Sequence, residues 1–219
     1  MKKESRHTAA PTWPDLAGIG REIEDDMVEV PEGDVSLGGR VFHVGKFRIS
    51  RTPVTVSLWN RVMGLGGPPS DTPIAGISFE QFIPFRQRLN RARQAPGKLN
   101  PPTEAQLERA LQTKSISLDG NAGEVCITLF REYGEMGGDH MVDNIPRNLP
   151  ADLVVRCGDG ARLSVRSDRN SPPDGSGRPV GFRLAMTMYD VPPASDDDFI
   201  EAAKRLAGLG VGSGGTGGL

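Results

Sequence analysis

The feature that most constrains this chain is a strongly marked helix start near its middle, after Pro101 and Pro102. Thr103 is followed three residues later by Gln106, the pattern of a capping box in which each side chain satisfies a backbone N–H at the other position. The prolines keep the preceding chain extended, and apolar residues recur at helical spacing over 107–111. The sequence therefore predicts an amphipathic helix whose apolar face the rest of the chain must cover.

Short strand patterns lie on both sides of this helix, and two further helix starts are marked by Thr55 and by the pair Ser78 and Gln81. The chain contains 28 glycines and 18 prolines in 219 residues, and only 5% of its residues are aromatic, a composition typical of a domain rich in loops. Strand patterns occur at 27–30, 35–37, 41–44, 47–50 and 124–130, and Val154 and Val155 start a further strand. Together these patterns predict an α+β fold.

Charge and cysteine content exclude several classes of protein. The formal net charge of −2 argues against a nucleic-acid binder that works by neutralising phosphates. Two cysteines, Cys126 and Cys157, are too few for a secreted disulfide framework. The polar N-terminus has no signal-peptide pattern, and no apolar stretch is long enough to cross a membrane, so we expect a cytoplasmic protein that binds neither nucleic acid nor membrane.

Several sequence blocks, in order, resemble the formylglycine-generating-enzyme (sulfatase-modifying-factor) family. They are MVEVPEG at 27–33, TPVT at 52–55, PTEA at 102–105, VVRCGDG at 154–160 and VGFRLA at 180–185. The resemblance spans residues 27–187 and implies a C-type lectin fold, with small mixed or antiparallel sheets, two or three flanking helices and much irregular structure. Residues 1–26 are then an N-terminal arm, either extended or with a short lead-in helix over 15–24, and 188–219 are a linker, a short helix and a glycine-rich tail.

The catalytic groups of that family are not matched in this chain. Active members use two nearby cysteines to hold copper, whereas here only Cys157 lies near the corresponding place. The three histidines lie in separate segments, without the spacing of metal ligands, although a group formed by Asp139, His140 and Asp143 is conceivable. The sequence therefore predicts no catalytic residue, no metal and no cofactor, and favours a protein that is not an enzyme. A metal-dependent oxidoreductase like the formylglycine-generating enzymes is the alternative.

Non-catalytic relatives suggest a different function for the same scaffold. The variable proteins of diversity-generating retroelements display many side chains near their C-terminus on a rigid framework, which implies a binding surface here between Arg156 and Arg183. A protein or small-molecule ligand is the expected partner, an oligomer is possible, and a receptor-binding part of a phage or cell surface is a further option. The predicted ligand-binding residues are Asp159, Arg162, Ser164, Ser167, Asp168, Asn170, Ser171, Asp174 and Ser176.

Arginines of the C-terminal part are candidates for buried ion pairs, because a guanidinium group can bind a carboxylate through two hydrogen bonds. Arg166, Arg169 and Arg183 are the arginines that we expect to pair with acids such as Glu104.

Overall fold

The computed structural model describes residues 16–93, 97–119, 122–129, 152–166 and 179–187. These residues form a mixed α+β fold, as predicted, with one helix in the predicted arm and three within 27–187, where two or three were expected. The helices are α1 (Leu16–Asp26), α2 (Val56–Met63), α3 (Phe79–Ala92) and α4 (Glu104–Gln112). None of the helices within these ranges has both the length and the apolar character needed to cross a membrane.

The first sheet contains four strands in the spatial order β1-β4-β10-β5, and every neighbouring pair is antiparallel. Its strands are β1 (Met27–Val30), β4 (Phe47–Ser50), β5 (Lys98–Asn100) and β10 (Ala185–Thr187). Strand β10, the last in the chain to be described, lies between β4 and β5. The interior of this sheet is therefore completed by a segment from near the end of the chain.

A separate hairpin joins β2 (Gly33–Leu37) to β3 (Arg40–Val44). Gly38 and Gly39 both have positive φ, 56° and 77°, the backbone signature of the two-residue turn that best matches strand twist. Val35 and Val44 belong to the same buried cluster as Leu107 of α4. The hairpin thus covers part of the apolar face that the sequence predicted for α4.

The second four-stranded sheet has the order β8-β7-β6-β9. Its strands are β6 (Gly123–Leu129), β7 (Asp152–Cys157), β8 (Arg162–Arg166) and β9 (Val180–Gly181). Strands β6, β7 and β8 are antiparallel neighbours, whereas the short β9 runs parallel to β6. Helix α4 packs between this sheet and the β2–β3 hairpin, since Val154 and Val35 share its core cluster.

The capping patterns read from the sequence are present in the structure. Thr103 Oγ1 accepts from the N–H of Gln106 at 3.1 Å, and Gln106 Oε1 accepts from the N–H of Thr103 at 2.9 Å. Ser78 and Gln81 form the equivalent box at the start of α3, and Thr55 caps α2. These local hydrogen bonds satisfy donors that a helix N-terminus otherwise leaves unpaired.

Helices α1, α2 and α3 surround a core with four aromatic rings. Trp59 stacks on Phe85 with ring centroids 4.7 Å apart, and Phe182 meets Phe82 edge to face at 4.9 Å. Ile19 of α1 is buried in the same cluster. The predicted lead-in helix therefore contributes to the core, while the predicted boundaries at residues 26/27 and 187/188 stay predictions.

Candidate binding surface and the ion cluster beneath it

The loop that begins the predicted binding surface is a tight turn between β7 and β8. The N–H of Gly160 donates to Cys157 O, and the N–H of Cys157 donates to Ala161 O, both at 3.0 Å. Asp159 lies at the exposed tip, where its Oδ1 accepts from the N–H of Ala161 at 3.0 Å. Gly160 has a φ of +87°, which a glycine adopts without strain. This turn sets which residues of the two strands lie opposite each other.

The register places Arg156 directly opposite Arg162, and Val154 opposite Ser164. Successive side chains of a strand point to opposite faces of the sheet, so all four of these residues share one face. Val154 packs in the same buried cluster as Leu107 of α4. The face that carries the two arginines is therefore the one that is turned toward α4.

Both arginines bind the carboxylate of Glu104, the first residue of α4. Arg162 Nε and Nη2 lie 2.9 Å and 3.2 Å from its Oε1 and Oε2, and Arg156 Nη1 lies 3.1 Å from Oε1. Arg156 Nη2 also reaches Oε2 of Glu108, one helical turn further on, at 3.1 Å. Two carboxylates of one helix thus hold two guanidinium groups from adjacent strands, and we call these four residues the Glu104 cluster.

Burial makes this pairing energetically important. The Glu104 side chain is only 2% exposed, and the side chains of Arg156 and Arg162 are each 15% exposed. An ionised carboxylate withdrawn from water is tolerated when opposite charges and hydrogen bonds replace its hydration. The first turn of a helix also favours a negative charge. The Glu104 cluster, with two acids and two arginines, carries no formal net charge.

A second buried pair, Glu124 with Arg183, lies beside the Glu104 cluster, since Glu124 on β6 is directly opposite Arg156 on β7. Arg183 is 1% exposed, and Nε and Nη2 of its guanidinium group bind both carboxylate oxygens of Glu124. The same group donates to the carbonyl oxygens of Ser50, Arg51 and Ser117 at 3.0–3.2 Å. Arg183 thereby connects the end of β4, the chain before β6, and β6 itself.

The expected pairings of the arginines are only partly found. Arg183 is buried and paired, but with Glu124 and not with Glu104. Glu104 is bound instead by Arg156 and Arg162. Of these two, Arg162 was predicted to bind a ligand and not to form an ion pair. Arg169 lies outside the described residues. A signal for the actual pairing was present, because a three-residue turn at 158–160 brings Arg156 opposite Arg162.

The two cysteines do not converge. Cys126 belongs to the cluster around α4 together with Val154. Cys157 lies opposite Gly123, three residues from Val154 on the same strand, and alternation along a strand places it on the other face. Both thiols are free and buried, and burial, with smaller contributions from the carboxylates of Glu104 and Glu124, raises the pKa of Cys126 well above its usual value.

Across the part of the chain that the structure describes, no group of three or more histidine, cysteine or acidic side chains could hold a metal ion. His43 pairs through Nδ1 with Oδ1 of Asp34 at 2.8 Å on the exposed side of the β2–β3 hairpin. Asp139, His140 and Asp143 lie outside the described residues, so that conceivable metal group stays untested.

The structure places three of the nine predicted ligand-binding residues. Asp159 is exposed at the turn, Ser164 is partly exposed on β8, and the guanidinium group of Arg162 is bound by Glu104. The other six lie outside the described residues: Ser167, Asp168, Asn170, Ser171, Asp174 and Ser176. Their assignment to a binding surface stays a prediction.

Variable protein 1 of Treponema denticola and CarF are among the solved structures to which this chain is similar. Variable protein 1 of Treponema denticola matches with a TM-score of 0.45 and 16% identity, over 74% of this chain and 94% of that chain. CarF matches with a TM-score of 0.49 and 13% identity, over 75% of this chain and 98% of that chain. No protein-family model and no curated protein matches the chain.

Proposed function

We propose that this chain is a non-catalytic binding module with a C-type-lectin-type scaffold, whose ligand is a protein or small molecule contacted by the polar surface at 159–176. The observation that carries the proposal is the Glu104 cluster. It attaches the β7–β8 hairpin to α4 through arginines on both strands, while the Asp159 turn remains exposed. A rigid framework with an exposed, polar loop is the usual arrangement for recognition.

The three predicted ligand-binding residues that the structure describes have two different roles under this proposal. Asp159 offers a carboxylate at the tip of the turn, and Ser164 offers a short hydroxyl side chain on β8. Short polar groups of this kind provide adaptable hydrogen bonds in binding loops. Arg162 has a supporting role under this proposal. Its guanidinium group is bound to Glu104 and holds the start of β8 in place.

A comparison of natural isolates tests whether this surface is a variable one, as in a retroelement variable protein. The corresponding gene is sequenced from many sister isolates, and substitutions are counted per position. We expect substitutions to concentrate at 159–176, with Glu104, Arg156 and Arg162 unchanged. Substitutions spread evenly over the exposed positions of the whole chain would contradict the proposal.

A binding experiment tests the surface directly. The full chain is applied to arrays of defined glycans and purified proteins, and each ligand found is then measured against Asp159→Arg and Lys46→Ala variants. Lys46 is an exposed control, paired with Glu29 on the first sheet and 57% exposed. We expect Asp159→Arg to weaken binding at least about tenfold, the loss of one or more charge-assisted hydrogen bonds. Equal affinity of both variants and the wild type would place the ligand elsewhere.

Metal and oxygen measurements separate this proposal from the oxidoreductase alternative. The purified full chain is analysed for copper and iron, and oxygen consumption is followed with a thiol peptide present. A binding module is expected to contain substoichiometric metal and to consume no oxygen. Stoichiometric copper or iron together with thiol-dependent oxygen consumption would overturn the proposal.

A further inference from the structure

We infer that Glu104 is a positioning residue, which holds β7 and β8 in register by neutralising two arginines that lie directly opposite each other. The inference rests on the proposed function, since the hairpin that Glu104 holds carries the proposed binding surface. Under this inference the carboxylate of Glu104 holds the proposed binding surface in place without being part of that surface.

The argument begins with the register. Arg156 and Arg162 are directly opposite residues of an antiparallel pair, and their side chains lie on the same face of the sheet. Like charges at directly opposite positions destabilise strand pairing. Here the repulsion would act between side chains that are each only 15% exposed, where water screens charge poorly.

The position of the Glu104 carboxylate relieves this repulsion. Its Oε1 accepts from Nη1 of Arg156 at 3.1 Å and from Nε of Arg162 at 2.9 Å. One oxygen atom therefore bridges guanidinium groups from both strands. Glu108 contacts Arg156 through an ion pair of 3.1 Å and adds the second negative charge, but the bridge between the strands belongs to Glu104.

The backbone at Glu104 is fixed independently of the pairing of β7 with β8. The Thr103–Gln106 capping box sets the first turn of α4, and the N–H of Ile127 on β6 donates to Pro102 O at 2.9 Å. The carboxylate is thus presented from a backbone that is already tied to the sheet beside β7. A substitution at Glu104 is therefore expected to destabilise the β7–β8 hairpin and to leave the first sheet, which contains β1 and β4, unchanged.

Charge counting distinguishes this role from simple space filling. Glu104→Gln keeps the shape but removes one of the two negative charges of the Glu104 cluster, which then carries a net charge of +1. Glu104→Gln combined with Arg162→Gln restores electrical neutrality and removes the opposed pair. If Glu104 acts by neutralisation, E104Q loosens the hairpin and the second substitution compensates for it; if Glu104 acts by shape alone, E104Q leaves the hairpin unchanged.

The test is amide hydrogen exchange of the full chain, compared for the wild type, E104Q, E104Q/R162Q and the control E22Q. Glu22 pairs with Arg61 at 2.8 Å, with side chains 55% and 48% exposed, so E22Q makes the same chemical change at the surface. In E104Q we expect exchange at 153–157 and 162–166 to rise on the order of a hundredfold. Exchange of E104Q at 27–30 and 47–50 should stay within about threefold of the wild-type rate, and E22Q should exchange at the wild-type rate throughout the chain.

The double variant decides the inference. We expect E104Q/R162Q to bring exchange at 153–157 and 162–166 back toward the wild-type rate. Unchanged exchange in E104Q, an equal rise throughout the chain, or a double variant as fast as E104Q would each overturn the positioning role. If E104Q does not fold, a folded double variant supports the inference, and an unfolded double variant beside a folded R162Q overturns it. These measurements use no ligand, so they fail or succeed separately from the binding experiment.

Discussion

Arg183 is a residue through which distant segments of the chain contact one another. Its guanidinium group binds Glu124 on β6 and the carbonyl oxygens of Ser50, Arg51 and Ser117. All five nitrogen-bound hydrogens of the guanidinium group are used in this way, because the group is planar and always charged. A lysine at this position would keep the charge but could not reproduce the fork that binds both oxygens of Glu124.

Replacing Arg183 tests how much this buried contact stabilises the protein. Arg183→Met leaves the 4%-exposed Glu124 without its partner, and breaking a buried pair in this way costs about 3–5 kcal/mol. Arg61→Gln removes an exposed pair with Glu22 and should cost no more than about 1 kcal/mol. Urea unfolding measures both values, and similar losses for the two variants would contradict the assignment.

Cys126 gives a prediction about alkaline pH. Burial is the main cause that raises the pKa of its thiol above the ordinary value of 9.0. Because the folded pKa exceeds the unfolded one, the full contribution to stability is present below about pH 9 and is lost as the pH rises toward the folded pKa. Over that range the free energy of unfolding falls by about 1.4 kcal/mol per pH unit from this group alone.

The measurement is urea unfolding of the wild type and Cys126→Ala between pH 8 and about pH 10.5, a range that includes the unfolded thiol pKa. The alanine variant has no group to titrate at this position and serves as the reference for all other titrating side chains. We expect the stability difference between the two proteins to change with pH only above about pH 9. Parallel profiles would show that the thiol ionises as easily in the folded protein as in the unfolded one.

At the scale of elements, strand β9 shows how closely the loop before α3 approaches the second sheet. A Cβ atom added at Gly181 would lie 2.6 Å from the backbone oxygen of Ile74. The N–H of Gly76 donates to the carbonyl oxygen of Val180 at 3.3 Å. The loop is therefore tied to the strand that it touches, and a larger residue at 181 cannot be accommodated by moving the loop away.

Gly181→Ala should destabilise the protein by about 1–3 kcal/mol, the usual cost of forcing extra atoms into a packed interior. Gly66→Ala is the matched control, because its added Cβ would meet no atom within 4 Å. We expect the control to change stability by less than about 0.5 kcal/mol. Thermal unfolding followed by circular dichroism compares the two, and equal midpoints would show that β9 and the loop are not in contact.

The helices show what tertiary packing adds to a local signal. A kink or a restart is expected at Pro84, because proline removes a helix hydrogen bond, yet α3 is one helix from Phe79 to Ala92. Phe82, Phe85 and Leu89 from both sides of the proline are buried in one core cluster. Burial of these side chains compensates for the lost hydrogen bond, so the helix does not restart.

At the scale of the whole molecule, residues 179–187 complete structures that begin far earlier in the chain. Strand β9 adds to β6, Phe182 enters the aromatic core, and β10 lies between β4 and β5. The β1–β4 pair and β5 have no direct strand contact without β10. The described part of the fold therefore depends on contacts between the first and last segments of the chain.

Truncation tests this dependence. A chain that ends at residue 178 lacks β9 and β10, and we expect it to show no cooperative thermal transition and no native fluorescence of the buried Trp59. A chain that ends at residue 209 lacks only the glycine-rich C-terminus and should keep its melting midpoint within about 3 °C. A cooperative transition in the shorter chain would contradict the role assigned to residues 179–187.

The sequence alone was sufficient for the local features of this fold. The capping boxes at Ser78 and Thr103, the end of α2 at Gly64 and the glycine turn of the β2–β3 hairpin were all readable. Each depends on hydrogen bonds or backbone angles within a few residues, so the neighbouring residue types determine it. The α+β class followed from the same local patterns.

The tertiary structure decided which distant groups meet. Several arginines could have paired with Glu104, and only the register of β7 with β8, together with the packing of α4, selects Arg156 and Arg162. The parallel addition of β9 and the central place of β10 likewise depend on contacts over more than 50 residues. Long-range partners are chosen by the packing of the whole core, and a one-dimensional pattern does not record that competition.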